Sequence, residues 1–527
     1  MNASPTSSSV TPEKSQPFTL SLSKRRAGLR QAQPERFVLR LGVLALAAVL
    51  AGCAVGPAYK VPTSVASTAW KEQKTAEGWL PAAPADALDR GEWWKLFADP
   101  TLDELAGRVQ VSNQNIAAAV ANYTQAQALV RGERAALFPS VSFSGSGRRS
   151  GNVNSNSDTA SPSNSFSASL NASWTPDVWG RLREAVSSAQ ANAQASEADL
   201  AAARLSAIGD LATNYFSLRE ADAEIVLLDE TIAGYQRAFE ITGNRYAAGI
   251  AAQTDVLQAQ TQLVNAKADR VGLTRTRATL EHAIAMLVGV APADFTLPAA
   301  KWTPTVPGVP TGVPSTLLQR RPDIAAAERS VASANAQIGI ARAAYFPNIP
   351  LTASVGSTNA SRVKDLFSSA NTLWSLGFSV AQVVFDAGAI GASVDAAKAG
   401  HEAAVARYRQ TVLTAFQAVE DQLTTGATLA QQEGFRREAT LAADKTEQQL
   451  LNRYRAAQVS YTEVVTAQAA ALNARRALVQ LQVNRQASAI ALIQAMGGGW
   501  QADWMSNNPD GTAATAQQQQ PTVPRAQ

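Results

Sequence analysis

Apolar residues recur at two different periods along this chain. Leu211, Leu218, Ile225, Ile232 and Phe239 fall seven apart, and Leu200, Ala207, Ala221, Leu228 and Tyr235 form a companion row interrupted by Asn214. A seven-residue repeat is the seam of packed long helices. It predicts a helix over residues 182–239, about 58 residues and roughly 87 Å long at 1.5 Å per residue. The next helix carries Leu257, Val264, Val271, Ala278 and Ala285, and Val465, Leu472, Val479, Gln486 and Ile493 repeat that phase further on. Alanine on all faces lets helices approach closely on more than one side, as in a wall of helices. The stripe describes a plain antiparallel bundle core equally well.

The second period is two. In Ser165-Phe166-Ser167-Ala168-Ser169-Leu170-Asn171-Ala172-Ser173-Trp174 every second residue is apolar, which is strand period. Similar alternation marks residues 140–148, 349–356 and 373–381, so four strands are expected, at about 140–148, 165–175, 349–356 and 373–381. A helix over residues 102–137 precedes the first strand and ends before Pro139. The polar strand positions are Ser, Asn and Gly, where a soluble sandwich would carry Lys, Glu and Thr. That composition suits a barrel with a lipid face and a wet lumen, with a small soluble sheet as the alternative. Four strands cannot close a membrane barrel, where about eight is the usual minimum, and open sheet edges are not tolerated in lipid. Either the strands lie outside the membrane or several chains share one barrel. Three chains would supply twelve strands.

The pattern occurs twice. Leu137-Phe138-Pro139 recurs as Tyr345-Phe346-Pro347, Asn244-Arg245-Tyr246 as Asn452-Arg453-Tyr454, and Gly289 as Gly497, each pair 208 positions apart. Each half reads as helix, two strands, long helix, turn, helix, with small insertions expected between the landmarks. The expected organisation is a signal region at 1–52, a lipid-anchored segment at 53–100, repeats at 101–297 and 298–500, and a disordered tail at 501–527.

Composition narrows the function. The 527 residues carry a net charge of only +4, which makes no case for nucleic-acid binding. There are two histidines, His282 and His401, and one cysteine, Cys53. These exclude a disulfide framework and leave little for a metal centre. No phosphate-binding loop or nucleophile elbow is present, so an enzyme has no site to stand on. No cofactor is expected beyond a covalent N-terminal lipid on Cys53.

Cys53 closes a targeting pattern. Lys24, Arg25, Arg26, Arg30, Arg36 and Arg40 precede an apolar run of about ten residues, too short to span a bilayer and suited to a signal core. The run ends in Leu50-Ala51-Gly52-Cys53, similar to a lipobox in which Cys becomes the acylated first residue. Such acylation anchors a chain without a transmembrane helix. Ala54, in place of Asp, is expected to direct it to the outer membrane. Residues 1–35 are long and polar for a signal's leading part, and a start nearer Val38 is an alternative.

Five motifs carry a family resemblance: Cys53-Ala54-Val55-Gly56-Pro57 with Tyr59 and Pro62; Trp93-Trp94-Lys95-Leu96-Phe97 with Asp99-Pro100; Val313-Pro314-Ser315 with Leu317-Leu318, Arg320-Arg321-Pro322-Asp323-Ile324 and Ala327-Glu328; Phe385-Asp386-Ala387-Gly388; and Gly497-Gly498-Gly499-Trp500. The chain resembles the TolC-like outer membrane efflux proteins, in particular their lipoprotein branch of NodT type, which serves resistance-nodulation-division (RND) pumps. The resemblance implies a mainly α fold with a small membrane β part and long coiled-coil helices forming an α-barrel. Four strands per chain would join a trimeric twelve-stranded β-barrel. It also implies a homotrimer in outer membrane lipid, partnered by a periplasmic membrane-fusion adaptor and an inner-membrane RND transporter. The chain would be a passive, gated duct for small molecules.

By resemblance, Arg245, Tyr246, Gly249 and Asp255 form one adaptor-docking tip, and Arg453, Tyr454, Ala457 and Glu463 belong to the second. Gly249 suits a left-handed helix terminus. Ala457 stands where Gly is usual, which leaves that turn's geometry open. Relatives ring the periplasmic entrance with an acidic residue. By position it is Thr466 here, an apolar gate position falls at Thr462, and Glu463 neighbours a different face. A threonine ring is expected to be less cation-selective than a carboxylate ring. Arg320, Arg321, Pro322, Asp323 and Glu328 read as a structural motif, with Pro322 and Asp323 suited to the first turn of a helix. Two other readings are an exit duct for type I protein secretion and a non-channel coiled-coil lipoprotein scaffold.

Overall fold

A computed structural model describes residues 55–63, 70–71, 91–151, 162–309 and 320–500. Cys53, Ala54, the apolar run before them and the tail from Ser506 lie outside the described residues. The chain runs α1 (Pro100–Ser112), α2 (Gln114–Ala135), β1 (Ser140–Ser150), β2 (Ser163–Trp174), α3 (Arg181–Ala247) and α4 (Gln253–Leu287). It then repeats as α5 (Pro322–Ala343), β3 (Leu351–Ala360), β4 (Thr372–Phe378), α6 (Ala389–Arg455) and α7 (Tyr461–Ala495). Both ends of α5, α6 and α7 lie 208 residues beyond those of α2, α3 and α4. The small insertions expected between landmarks are therefore absent from the helices, and length differences are confined to strands and their turns. Helices α3 and α6 each have 67 residues, roughly 100 Å. That exceeds the expected 58 because the apolar rows fade before the helix ends do.

The helix expected over 102–137 is broken. Asn113 takes extended torsions, φ −68° and ψ 125°, and its side chain caps α2 by accepting from the amides of Asn115 and Ile116 at 3.0 and 3.1 Å. Both flanks are helical in composition, so period alone runs through the break. Asp99 caps α1 in the same way, through the amides of Thr101 and Leu102, and also accepts the Tyr215 hydroxyl at 2.6 Å. Trp93, Trp94 and Phe97 sit beside these caps in the largest core cluster, with Leu102, Leu211, Phe216, Ile284 and Ile490.

The N-terminal residues strap α5. Asn335 Nδ2 donates to the Pro57 carbonyl at 2.8 Å, and the Tyr59 hydroxyl donates to the buried Glu328 carboxylate. Arg329 holds the same carboxylate and stacks 5.7 Å from the Tyr59 ring. Burial, then Glu328 itself, pushes the Tyr59 hydroxyl's pKa up. Gly56 meets α5 at Gly339, where an added Cβ would come within 3.0 Å of the Gly56 Cα.

The four strands form one antiparallel meander in the order β1-β2-β3-β4. Register separates two faces, because directly opposed residues share a side. One face carries the rows Phe143, Leu170, Val355, Trp374 and Val141, Ala172, Ala353, Leu376. The other carries Ser142, Asn171, Ser354, Ser375. Serine hydroxyls bridge strands on that polar face, Ser144 to Ser169 at 2.9 Å and Ser354 to Ser375 at 2.8 Å. The apolar face is bare, with Phe143 72 %, Trp374 80 % and Phe378 74 % exposed. Among the described residues no helix is long and apolar enough to cross a membrane.

Candidate functional site

The two helical hairpins end in turns of the same construction. In the first, the amides of Ala248, Gly249 and Ile250 donate to the carbonyls of Asn244, Tyr246 and Arg245. In the second, Ala456, Ala457 and Gln458 donate to Asn452, Tyr454 and Arg453. This is the Schellman pattern, which needs one left-handed residue. Gly249 supplies it at φ +74° and Ala457 at φ +58°. The second turn therefore keeps the geometry of the first, at a cost of roughly 1–2 kcal/mol for a left-handed residue bearing a Cβ.

Of the expected tip residues, Arg245 and Tyr454 are brought together. Arg245 Nη1 donates to the Tyr454 carbonyl at 2.7 Å and its guanidinium lies 4.6 Å from the Tyr454 ring. The Tyr454 ring packs 5.2 Å from that of Tyr461. Burial above all raises the Tyr461 hydroxyl to about 12, so it stays protonated. Arg245 Nε and the Tyr454 hydroxyl are buried and find no hydrogen-bond partner among the described residues. Tyr246 and Arg453 are exposed beside this contact, and Asp255 lies in the first turn of α4, where a carboxylate favours the helix dipole.

Thr462 and Thr466 lie one turn apart on one exposed stripe of α7, the Thr466 hydroxyl donating to the Thr462 carbonyl at 3.0 Å. Thr462 also donates to Gln258 of α4 at 3.3 Å. Glu463 is off that stripe. Its carboxylate accepts the amide and hydroxyl of Ser460, both at 3.2 Å, closing a capping box. Sequence reading missed this role, although Ser460-Tyr461-Thr462-Glu463 carries the signal.

The Arg320 to Glu328 motif sits elsewhere, at the start of α5. Arg321 is the N-cap position and Pro322 opens the helix. Arg321 forks onto the Asp323 carboxylate at 2.9 and 2.6 Å, and its Nη1 donates to the Ala495 carbonyl at the end of α7, 2.7 Å away. Asn113, its equivalent in the first repeat, donates to the Leu287 carbonyl at the end of α4 at 2.8 Å. Each side chain thus ties the start of one helix to an orphan carbonyl of another. The Arg320 carbonyl abuts Gly497, just as Ser112 abuts Gly289.

The outer membrane efflux protein family model matches residues 105–290 and again 313–498. The chain belongs to the outer membrane efflux protein family. The two matches start and end 208 residues apart, the spacing of the helices. A relative in Pseudomonas putida, the probable efflux pump outer membrane protein TtgC, is 32 % identical over 467 residues, covering 87 % of this chain and 95 % of that protein. The cation efflux system protein CusC of Escherichia coli is 30 % identical over 460 residues, covering 86 % and 98 %. Among solved structures, the outer-membrane channel OprN superposes with a TM-score of 0.77 at 29 % identity, over 85 % of this chain and all of that one. The open-state MtrE outer membrane channel of Neisseria gonorrhoeae gives 0.75 at 28 % identity, covering 86 % and 99 %. The mainly helical fold with two repeats and a four-stranded sheet is that of this family.

Proposed function

We propose that the chain is the outer membrane component of a tripartite efflux pump: a passive, gated duct that makes and breaks no bond. The observation that carries this is the sheet. Among the described residues it has a bare apolar face, a serine-lined face and two unpaired edges, β1 and β4, and open edges are costly in lipid. Three chains, with β4 of each beside β1 of the next, close a twelve-stranded barrel, apolar side outward. The helices continue the bore as an α-barrel in the periplasm. The relatives named as efflux pump and cation efflux proteins support export of small molecules. Acylated Cys53 adds a lipid anchor, and Ala54 directs it outward.

The turns at Arg245, Tyr246, Gly249 and Asp255 and at Arg453, Tyr454, Ala457 and Glu463 are the surfaces offered to a periplasmic adaptor, which links the duct to an inner-membrane RND transporter. Thr462 and Thr466 ring the entrance. Glu463, held by Ser460, stabilises a helix start and contributes little to the ring's charge.

Purified trimers in a planar bilayer test the reading. They are expected to conduct, with weak cation selectivity in asymmetric salt. Strong selectivity lost only on Glu463→Gln would sink the threonine ring, and trimers that insert without ever conducting, even with the Arg245–Tyr454 contact removed, would sink the duct.

A further inference from the structure

On the apolar face of the sheet, the row nearest the helices is Trp174, Leu351, Phe378. Ten residues along β2 from Trp174 is Asn164, opposite Arg149 on β1. Ten residues span roughly 33 Å of strand, or about 25 Å of height at the usual barrel tilt of about 40°. That matches the apolar band of an outer-membrane barrel, about 25 Å tall. Arg149 therefore leaves the hydrocarbon at the outer headgroup level.

A second element lies just below this level, over residues opposite Phe166 and Ala168. The short 3-10 turn Val363–Phe367 contacts both β3 and β2. To reach β2 it must cross a face of β3. Ser357 and Ala360, which point to the apolar face, are only 1 % exposed, while Val355 on the same face is 45 % exposed and Thr358 on the opposite face is exposed. The turn therefore lies over the apolar face. It presents Val363 and Phe367, 59 % and 85 % exposed, between the exposed cations Arg362 and Lys364. Among the described residues Arg149, Arg362 and Lys364 make no ion pair. The half-buried Asp365 is the one carboxylate on the turn, so cations dominate. Strands lie about 4.8 Å apart, and β1 pairs with β2, which puts Arg149 of the same chain one strand beyond the part of β2 that the turn reaches.

We propose that this outer rim binds the phosphates of lipopolysaccharide, the phosphorylated glycolipid of the outer leaflet. Val363 and Phe367 enter the acyl boundary while Arg149, Arg362 and Lys364 meet the phosphates above it. Apolar residues flanked by cations are the chemistry of a lipid interface. Guanidinium pairs with phosphate through two parallel hydrogen bonds. The inference rests on the membrane-barrel reading of the sheet.

The test uses the full chain as inserted trimers, in vesicles of phosphatidylethanolamine with either lipopolysaccharide or phosphatidylglycerol. Native mass spectrometry after mild extraction counts retained lipid. Wild type is expected to retain lipopolysaccharide in preference to phosphatidylglycerol. Affinity should fall about fivefold for each cation removed in Arg149→Gln, Arg362→Gln, Lys364→Gln and their combination. Arg148→Gln, on the polar face, should retain as much as wild type. Undiminished retention by an inserted, conducting triple variant overturns the proposal, and so does equal retention of phosphatidylglycerol by wild type. Alkaline extraction reads insertion separately: wild-type chain that is stripped from vesicles sinks the barrel reading itself.

Discussion

Helices α3 and α6 occupy the same place in the two repeats and have the same 67 residues, yet α3 buries 24 of them and α6 buries 8. Among the described helices, α3 packs against α1, α2, α4, α5 and α7, whereas the main helical partners of α6 are α5 and α7. Helix α6 leaves Leu413, Phe435 and Leu441 at least half exposed, and α4 leaves Leu257, Val264 and Val271 so. A repeat sets the backbone of a helix, and its position in the ring sets what covers it. Among the described residues, then, α4 and α6 leave apolar sides bare and β1 and β4 leave sheet edges unpaired, and these are the seams of a single chain.

Charge placement differs as well. In the first repeat Arg219 and Asp222 are 3 % and 4 % exposed and paired at 2.8 Å, and Arg277 of α4 reaches Asp222 at 2.7 Å. Arg219 also donates to the Pro298 carbonyl at 2.9 Å, bolting the linker between repeats to α3. The equivalents of Arg219 and Asp222 are Ala427 and Ala430. The second repeat instead centres on Glu433, held by Arg437 and Arg485. Burial works against its charge, but hydrogen bonds from Arg437, Arg485 and Gln482 outweigh that and hold its pKa below the usual range.

The largest expected effect lies where the repeats agree most. Gly289 and Gly497 are left-handed, and a Cβ on them would lie 2.2 Å from the Ser112 carbonyl oxygen and 2.1 Å from that of Arg320. Torsional cost and overlap add, so Gly289→Ala and Gly497→Ala should each cost more than about 3 kcal/mol. Loss of assembled trimer on a non-denaturing gel checks this. Near-normal yield from either variant would mean the two helix-end contacts are not equivalent.

Next comes the buried pair. Asp222→Ala strands Arg219 and half-strands Arg277 without a counter-charge, a change that costs about 3–5 kcal/mol for a buried pair. Glu433→Ala leaves Arg437 and Arg485, with side chains 63 % and 26 % exposed. Arg437 can turn to water, so the cost should be nearer about 1 kcal/mol. Thermal midpoints of trimer dissociation rank the two. Equal losses would erase the difference drawn between the repeats.

The repeat was legible in the sequence because its landmarks are helix ends. Asn244-Arg245-Tyr246 and Asn452-Arg453-Tyr454 close the long helices, and Gly289 and Gly497 close the shorter ones, so their spacing carried the fold. The strands were legible because Ser, Thr, Asn or Gly alternates with apolar residues along most of each strand. The break at Asn113 was not, since one amide side chain replaces a turn without changing the pattern on either side. Nor was the shared task of Asn113 and Arg321, because an amide and a guanidinium look unrelated until both are seen donating to a helix-terminal carbonyl. On α7, Thr462 and Thr466 were picked out by resemblance, and their spacing of four residues is what puts them on one exposed stripe. The seams were only half legible, because Leu257, Val264 and Val271 read as core until a single chain is seen to leave them uncovered.

The smallest effect separates the two tips. Gly249 and Ala457 share the left-handed region and one hydrogen-bond pattern, and no atom of the described residues lies within 4 Å of a Cβ added at Gly249. Sterics are therefore removed from the comparison, and the residue's own torsional preference remains. Ala457→Gly should stabilise the second tip by about 1 kcal/mol, and Gly249→Ala should weaken the first by a similar amount. Hydrogen exchange of the Gln458 and Ile250 amides, which close the two turns, reads each tip without unfolding the assembly. Slower exchange at Gln458 in Ala457→Gly and faster exchange at Ile250 in Gly249→Ala are the expected results. If Ala457→Gly leaves Gln458 unchanged, the left-handed alanine is not what distinguishes the second tip, and the buried Arg245–Tyr454 contact controls its opening instead.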